Sequence, residues 1–398
     1  MSELLNDLLG KPVGPSASAL PARPGGALTA SLEVTGDEAR VELKARVGDA
    51  HGPNALAHLK EQGLNPDEWE QVSYRRSEWT MPNGEPGESA RFSFRRIAGV
   101  AAERPPIDDL LAAIDSTSST TVYEPTRPER GEHTFIVALG DMQFGKIDGD
   151  GVEGTLQRTI AGLNRAADLL GAYRARFDIE HVHIAWLGDH IEGFVSMGGQ
   201  NAWRTQLTLN EQIRLTRRVM LHALLVFAPL AKRLTMAAVP GNHGEAIRFG
   251  GSGVTRFDDS HDTESLIAVK DAADLNPERF GHVEFFVPDT DELTVLVECS
   301  GTVVAHAHGH KWKTGKHFAW WQAQAFDQTS AMHQADVLLA GHMHHEFIES
   351  EGPRTFIQVP AMEADSAWYR HTTGSLSNPG LIVAVTKDGA IPVKEVVR

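Results

Sequence analysis

From residue 131 onward, short apolar runs recur, and each ends in a small polar turn. TFIVALGD (134–141), VHIAWLGD (182–189), LTMAAVPGNH (234–243), TVVAHAHG (302–309) and DVLLAGHMH (336–344) share this form. A run without alternation predicts a strand covered on both faces. Between the first two runs, Leu156, Ile160, Leu163, Ala167 and Leu170 fall at helical spacing, and a second helix fits 209–228. Residues 292–306 predict a hairpin turning at Ser300-Gly301, and the final segment predicts another around Asp388-Gly389. The expected fold class is α/β, with layered mixed β-sheets flanked by helices over 131–398.

The amino-terminal part reads differently. Residues 1–30 are rich in Gly, Pro, Ala and Ser and predict a flexible tail. Residues 31–47 predict one hairpin, 54–62 a short helix and 72–97 a second hairpin, so 31–100 is expected to be a small α+β domain. On the second hairpin, alternation places Phe92 and Phe94 on one face and Arg91 and Arg95 on the other. Residues 101–130 read as a linker with one helical turn at 107–114.

Composition narrows the setting. A length of 398 residues favours two domains. No apolar run approaches the ~20 residues that span a bilayer, so no membrane partner is expected. The start, MSELLNDLLGKP, has no basic segment followed by a long apolar one, so no secretory signal is expected. Cys299 is the only cysteine, which excludes an intramolecular disulfide framework and fits a cytoplasmic location. The net charge of -16 opposes general attraction to nucleic acid but leaves a local basic groove open.

The chemistry lies at the ends of the apolar runs, where ligands bind in layered α/β domains. The residues there are Asp141 and Gln143, Asp189 and Glu192, Asn242 and His243, His306 and His308, and His342 and His344. Carboxylate, amide and imidazole together suit divalent ions of the Mn, Fe or Zn type rather than a thiolate site.

Five motifs in order, each after an expected strand, resemble those of the calcineurin-like metallophosphoesterase superfamily across about residues 134–370. They are Asp141-Met142-Gln143, Gly188-Asp189-His190-Ile191-Glu192, Gly241-Asn242-His243, His308-Gly309 and Gly341-His342-Met343-His344. The resemblance implies two divalent ions, with Mn favoured and Fe, Zn, Ni or Mg as alternatives. It implies that Asp189 bridges them, that Asp141, Gln143 and His344 complete the first position, and that Asn242, His308 and His342 complete the second. His243 would act on the phosphoryl group or protonate the leaving oxygen. Paired ions stabilise both attacking and leaving oxygens at phosphorus.

Three features depart from the family pattern. Gln143 stands where the family has His. Glu245 lies one residue later than the usual acid after the His. His306, His308 and His310 alternate, and on an extended strand all three would point the same way, so the fourth ligand is His306 or His308. Gly309 favours His308, because it permits close backbone approach.

For substrate, the basic-aromatic stretch 308–317 and the loop near Trp203 point to nucleic acid or nucleotide. Lys311, Trp312, Lys313 and Arg204 are the candidate contacts; core packing is the competing reading for the tryptophans. The motif set also resembles large proteins of actinobacterial phages and prophages. That implies an exonuclease-like phosphodiesterase working on DNA in the host cytoplasm. The alternatives are hydrolysis of cyclic nucleotides or other small phosphoesters, and a non-catalytic binding role. Further expectations are that Glu192 is a site residue or else a surface or capping residue, that His333 and His345 lie at the surface or behind the ligands rather than ligating, and that His261 and Asp262 form a polar cluster that is either a solvated loop or reaches the site.

Overall fold

A computed structural model describes residues 29–35, 38–46, 52–61, 64, 66–80, 86–96, 106–117, 132–196, 205–249, 252–253, 255–327, 330–364 and 378–398. The expected flexible tail, Trp203 and Arg204 lie outside the described residues. The chain divides into two compact units, Met1–Ala101 and Ala102–Arg398.

The first unit is a four-stranded antiparallel sheet. Its strands Thr29–Thr35, Glu38–Arg46, Pro86–Arg96 and Trp69–Thr80 lie side by side in that order. Ala39, Val41, Leu43, Ala90, Phe92 and Phe94 alternate onto one face and pack with Ala55 and Leu59 of the helix Gly52–Glu61. Arg91 and Arg95 are exposed. A solvated, charged face follows, and Arg91 pairs there with Glu42 at 3.1 Å.

The second unit has four layers. A six-stranded sheet runs Val283–Phe286, Arg233–Ala238, Ile179–Trp186, His133–Leu139, Leu381–Lys387, Ala390–Val397; its first four strands are parallel and the last two antiparallel. A five-stranded sheet runs Val295–Cys299, Thr302–Ala307, Val337–Ala340, Arg354–Gln358, Phe347–Glu351, parallel at its centre. The sheets pack face to face through Ile136, Ala138, Ala185, Ala237, Val304, Leu339 and Ile357. Phe135, Val137 and Leu139 alternate to the opposite face, against helices Gly151–Tyr173, Leu209–Phe227 and His261–Asp274. Helix His317–Phe326 covers the far side of the second sheet through Trp321. Burial on both faces is why these strands read as unbroken apolar runs.

Two details correct the sequence reading. Within the segment read as a linker, the helix expected as one turn is 11 residues long, Ile107–Thr117. Leu110, Leu111 and Ile114 make an apolar stripe buried in the second unit's core, and that burial holds the helix. Trp312 is also a core residue, only 8% exposed, with its ring 4.5 Å from Trp320. This is the packing reading of the two. Among the described residues no helix is long and apolar enough to cross a membrane.

Candidate metal centre

The parallel strands of both sheets end on one edge of the second unit, and the five motifs occupy the turns that follow. These turns are conformationally costly. Among the described residues, Asp141, Gln143, Asp189, His342 and His344 all have φ between 42° and 71°, a left-handed region that L side chains rarely adopt. Backbone held in this way concentrates at functional sites.

The glycines of the motifs have a steric reason. A Cβ on Gly241 would stand 2.1 Å from Asp189 Oδ1, and one on Gly341 would stand 2.5 Å from Asp141 Oδ2. The absent side chains let each carboxylate reach the next motif's backbone. Asp189 Oδ1 accepts from His243 N at 2.7 Å, and Asp141 Oδ2 accepts from His342 N at 2.8 Å. Each aspartate thereby uses one oxygen for positioning and keeps the other for the site.

At the second position His308 Nδ1 donates to the Leu187 carbonyl at 2.7 Å. Its Nε2 therefore faces Asp189 Oδ2 at 3.0 Å and Asn242 Oδ1 at 3.2 Å. The His342 ring lies 5.0 Å from that of His308. Among the described residues, ligand atoms of Asp189, His308 and His342 fall within 4.8 Å of one another. A carboxylate oxygen, an amide oxygen and an imidazole nitrogen turned inward repel one another unless a cation lies between them. Without a metal a proton takes that part: burial disfavours charge on His308, but Asp189 outweighs it and raises the pKa to about 9. Burial and the neighbouring His308 push His342 down to about 4, so it is already neutral and fit to ligate.

At the first position His344 stands between two carboxylates. Its Nδ1 donates to Glu363 Oε1 at 3.0 Å, and its Nε2 faces Asp141 Oδ1 at 3.3 Å. Burial opposes charge there too, yet Asp141 and Glu363 raise its pKa to about 10. Gln143 is buried, and its Oε1 accepts from Lys146 Nζ at 3.1 Å. Both donor sets fit divalent ions. The second position turns three inward lone pairs on one point, whereas the first offers a carboxylate, an imidazole and an amide oxygen already engaged by an ammonium.

His243 lies beside both. Its Nδ1 contacts the Glu192 carbonyl at 2.9 Å, Ser196 Oγ at 3.1 Å and Glu192 Oε2 at 3.4 Å. Burial disfavours its charge, but Asp189 and then Glu192 raise its pKa to about 9. With Nδ1 engaged, Nε2 is the nitrogen open to a substrate. Glu192 is buried in the site rather than capping at the surface. Glu245 does not reach His243; it pairs through both oxygens with Arg248, each at 2.8 Å.

Of the alternating histidines, His308 and His310 lie together, their rings 5.5 Å apart, while His306 points elsewhere. The strand Thr302–Ala307 ends before His308, and Gly309 with φ 116° turns the chain. His306 stays in the sheet interior. Its Nδ1 donates to the Val295 carbonyl at 2.9 Å, and its Nε2 lies 2.7 Å from His183 Nε2. Burial lowers its pKa to about 4, so Nε2 accepts and His183 Nε2 donates. His183 Nδ1 then accepts from the Thr235 hydroxyl at 2.8 Å, and Thr235 Oγ1 accepts from His181 Nε2 at 2.8 Å.

Two acidic residues matter more than their sequence context indicates. The Asp262 carboxylate is fully buried and accepts from the backbone N–H groups of Asp189 at 3.0 Å, His190 at 2.9 Å and Gly241 at 2.8 Å. It pins the second and third motifs together, so Asp262 reaches the site and is not part of a solvated loop. Its acidic first-turn position after the Ser260 cap was the available signal, but capping alone explains such a residue. Glu363 lies beyond all five motifs. His333 and His345 are exposed and bond to nearby carbonyls. Lys311 and Lys313 are exposed, and Lys311 Nζ stands 4.5 Å from the centre of the Phe257 ring.

No family model matches the chain, and no curated protein does so. Solved structures do show similarity. One is a conserved uncharacterized protein, "predicted phosphoesterase", of Streptococcus pneumoniae, 12% identical, covering 64% of this chain and 84% of that one, with a TM-score of 0.28. Another is Vps29 of Entamoeba histolytica complexed with zinc, 11% identical, covering 66% and 99%, with a TM-score of 0.29. A third is the purple acid phosphatase PPD1 from yellow lupin seeds, 12% identical, covering 93% and 74%, with a TM-score of 0.31. At such scores these likenesses define neither family nor substrate.

Proposed function

We propose that this protein is a metal-dependent phosphoesterase with a dinuclear site, acting as a phosphodiesterase on nucleic acid. The observation that carries the reading is the convergence of Asp189 Oδ2, Asn242 Oδ1 and His308 Nε2 on one point, with Asp141 and His344 beside them. When bound, divalent ions supply charge stabilisation at phosphorus oxygens and an activated water. The chain supplies the rest. Asp141 and Asp189 lock their turns while presenting one oxygen each. His243, held at Nδ1 by the Glu192 carbonyl, would give an Nε2 proton to a leaving oxygen.

Exposed Lys311 and Lys313 and the half-exposed Phe257 offer charge and an aromatic face, which favours a nucleic acid. The net charge of -16 favours a second reading, a small phosphoester such as a cyclic nucleotide. The test is the full chain with Mn, assayed on single- and double-stranded DNA, a cyclic nucleotide and an aryl phosphate. DNA cleavage is expected. Turnover of the cyclic nucleotide alone would sink the nucleic-acid assignment. No turnover, with no metal by elemental analysis, would sink the enzyme. His342→Ala should lower kcat by more than the roughly 10–100-fold that loss of an outer-shell partner costs.

A further inference from the structure

Lys146 is a charged group inside the site that the five motifs do not include. Its N–H donates to the Gln143 carbonyl at 3.0 Å, and Gly145 between them has φ 117°, so the chain folds Lys146 back beside Gln143. The Lys146 side chain is 18% exposed. Its ammonium donates to Gln143 Oε1 at 3.1 Å and to Glu363 Oε1 at 2.8 Å, and the same Glu363 oxygen accepts from His344 at 3.0 Å. One ammonium and one carboxylate thus tie together Gln143 and His344, two of the three side chains peculiar to the first position. The Lys146 ammonium and the Glu363 carboxylate form an ion pair inside the site, 2.8 Å apart.

Three effects act in one direction. A neutral amide oxygen is a weaker ligand than the imidazole it replaces. The ammonium engages that oxygen. A fixed positive charge repels a second cation nearby. Glu363 offsets part of this charge, and it is already shared between Lys146 and His344.

We propose that Lys146 sets the two metal positions apart, weakening the Asp141–Gln143–His344 position so that the Asp189–Asn242–His308–His342 position fills first. The ion at the first position then enters only at higher free-ion concentration, and the activity follows divalent-ion supply. This rests on the dinuclear reading above.

The test is calorimetric titration of the full chain, stripped with chelator, with Mn, alongside electron paramagnetic resonance of the free ion. The native chain should show two classes of site. Lys146→Met should tighten the weaker class about tenfold and leave the tighter class unchanged. Lys146→Arg, which keeps the charge, should keep the weak class weak. Glu363→Gln, which removes a negative charge, should weaken it further. Two equal sites, or a weak class that Lys146→Met leaves unmoved or loosens in a natively folded chain, overturn the inference while the dinuclear reading stands. If Lys146→Met does not fold, Lys146→Gln is read by the same criteria. A native chain that binds no Mn overturns both.

Discussion

Two histidine groups lie within the second unit, and they differ in what faces their rings. His181, His183 and His306 sit among hydroxyls and carbonyls between the sheets. His308, His342 and His344 sit at the strand ends with Asp141, Asp189 and Glu363. His306 and His308 are two residues apart, yet burial takes the first to a pKa of about 4 while the Asp189 carboxylate takes the second to about 9. The residue type is the same and the burial is similar. What differs is whether a carboxylate faces the ring. A neutral imidazole in a fixed tautomer knits a core together. An imidazole facing an anion and other lone pairs has the donor set of a cation site.

The contrast breaks most severely at Asp262. Asp262→Ala should leave three buried N–H groups without an acceptor, and losing one side of a buried charge network costs about 3–5 kcal/mol. Chemical denaturation of the metal-free chain would measure this, and Mn affinity should fall with it. A loss under about 1 kcal/mol would mean that Asp262 does not hold the motifs together.

A smaller effect is expected in the interior group. His183→Leu strips the partner from His306 Nε2 and from the Thr235 hydroxyl, at a cost of about 1–3 kcal/mol. Mn stoichiometry and affinity should stay as in the native chain. A tenfold fall in affinity at unchanged stability would show that the two groups are not independent.

The mildest probe is pH. Ligation needs a neutral ring, so an ion entering beside His308 or His344 displaces a proton. Affinity should therefore rise about tenfold per pH unit for each proton released, and the rise should flatten above the pKa values of about 9 and 10. His306 is neutral over this range and adds no slope. Calorimetry in buffers of different ionisation enthalpy counts the protons; finding none would erase the distinction between the groups.

Much of this was legible in the chain itself. The unbroken apolar runs announced strands covered on both faces, and the turn at Ser300-Gly301 shows the paired positive φ values, 54° and 74°, that such a dipeptide favours. The five motifs were visible because each follows its strand at once. Asp262 and Glu363 were not, because they act on the motifs from a helix start and from a distant loop. The register of His306 and His308 turned on where a strand stops, which alternation does not encode. Trp312 stayed open between two readings for a related reason: a tryptophan among lysines has the same local composition whether it faces solvent or core.

The left-handed turns of the motifs bear on how this protein tolerates change. Such a conformation costs an L residue about 1–2 kcal/mol, and glycine escapes most of that cost. At Asp141, Asp189, His342 and His344, a glycine would delete the candidate ligand and relax the backbone together. Selection for robustness alone would therefore wear away the site before the sheets that carry it. A lineage that keeps these side chains in these turns does so against the thermodynamic current of drift.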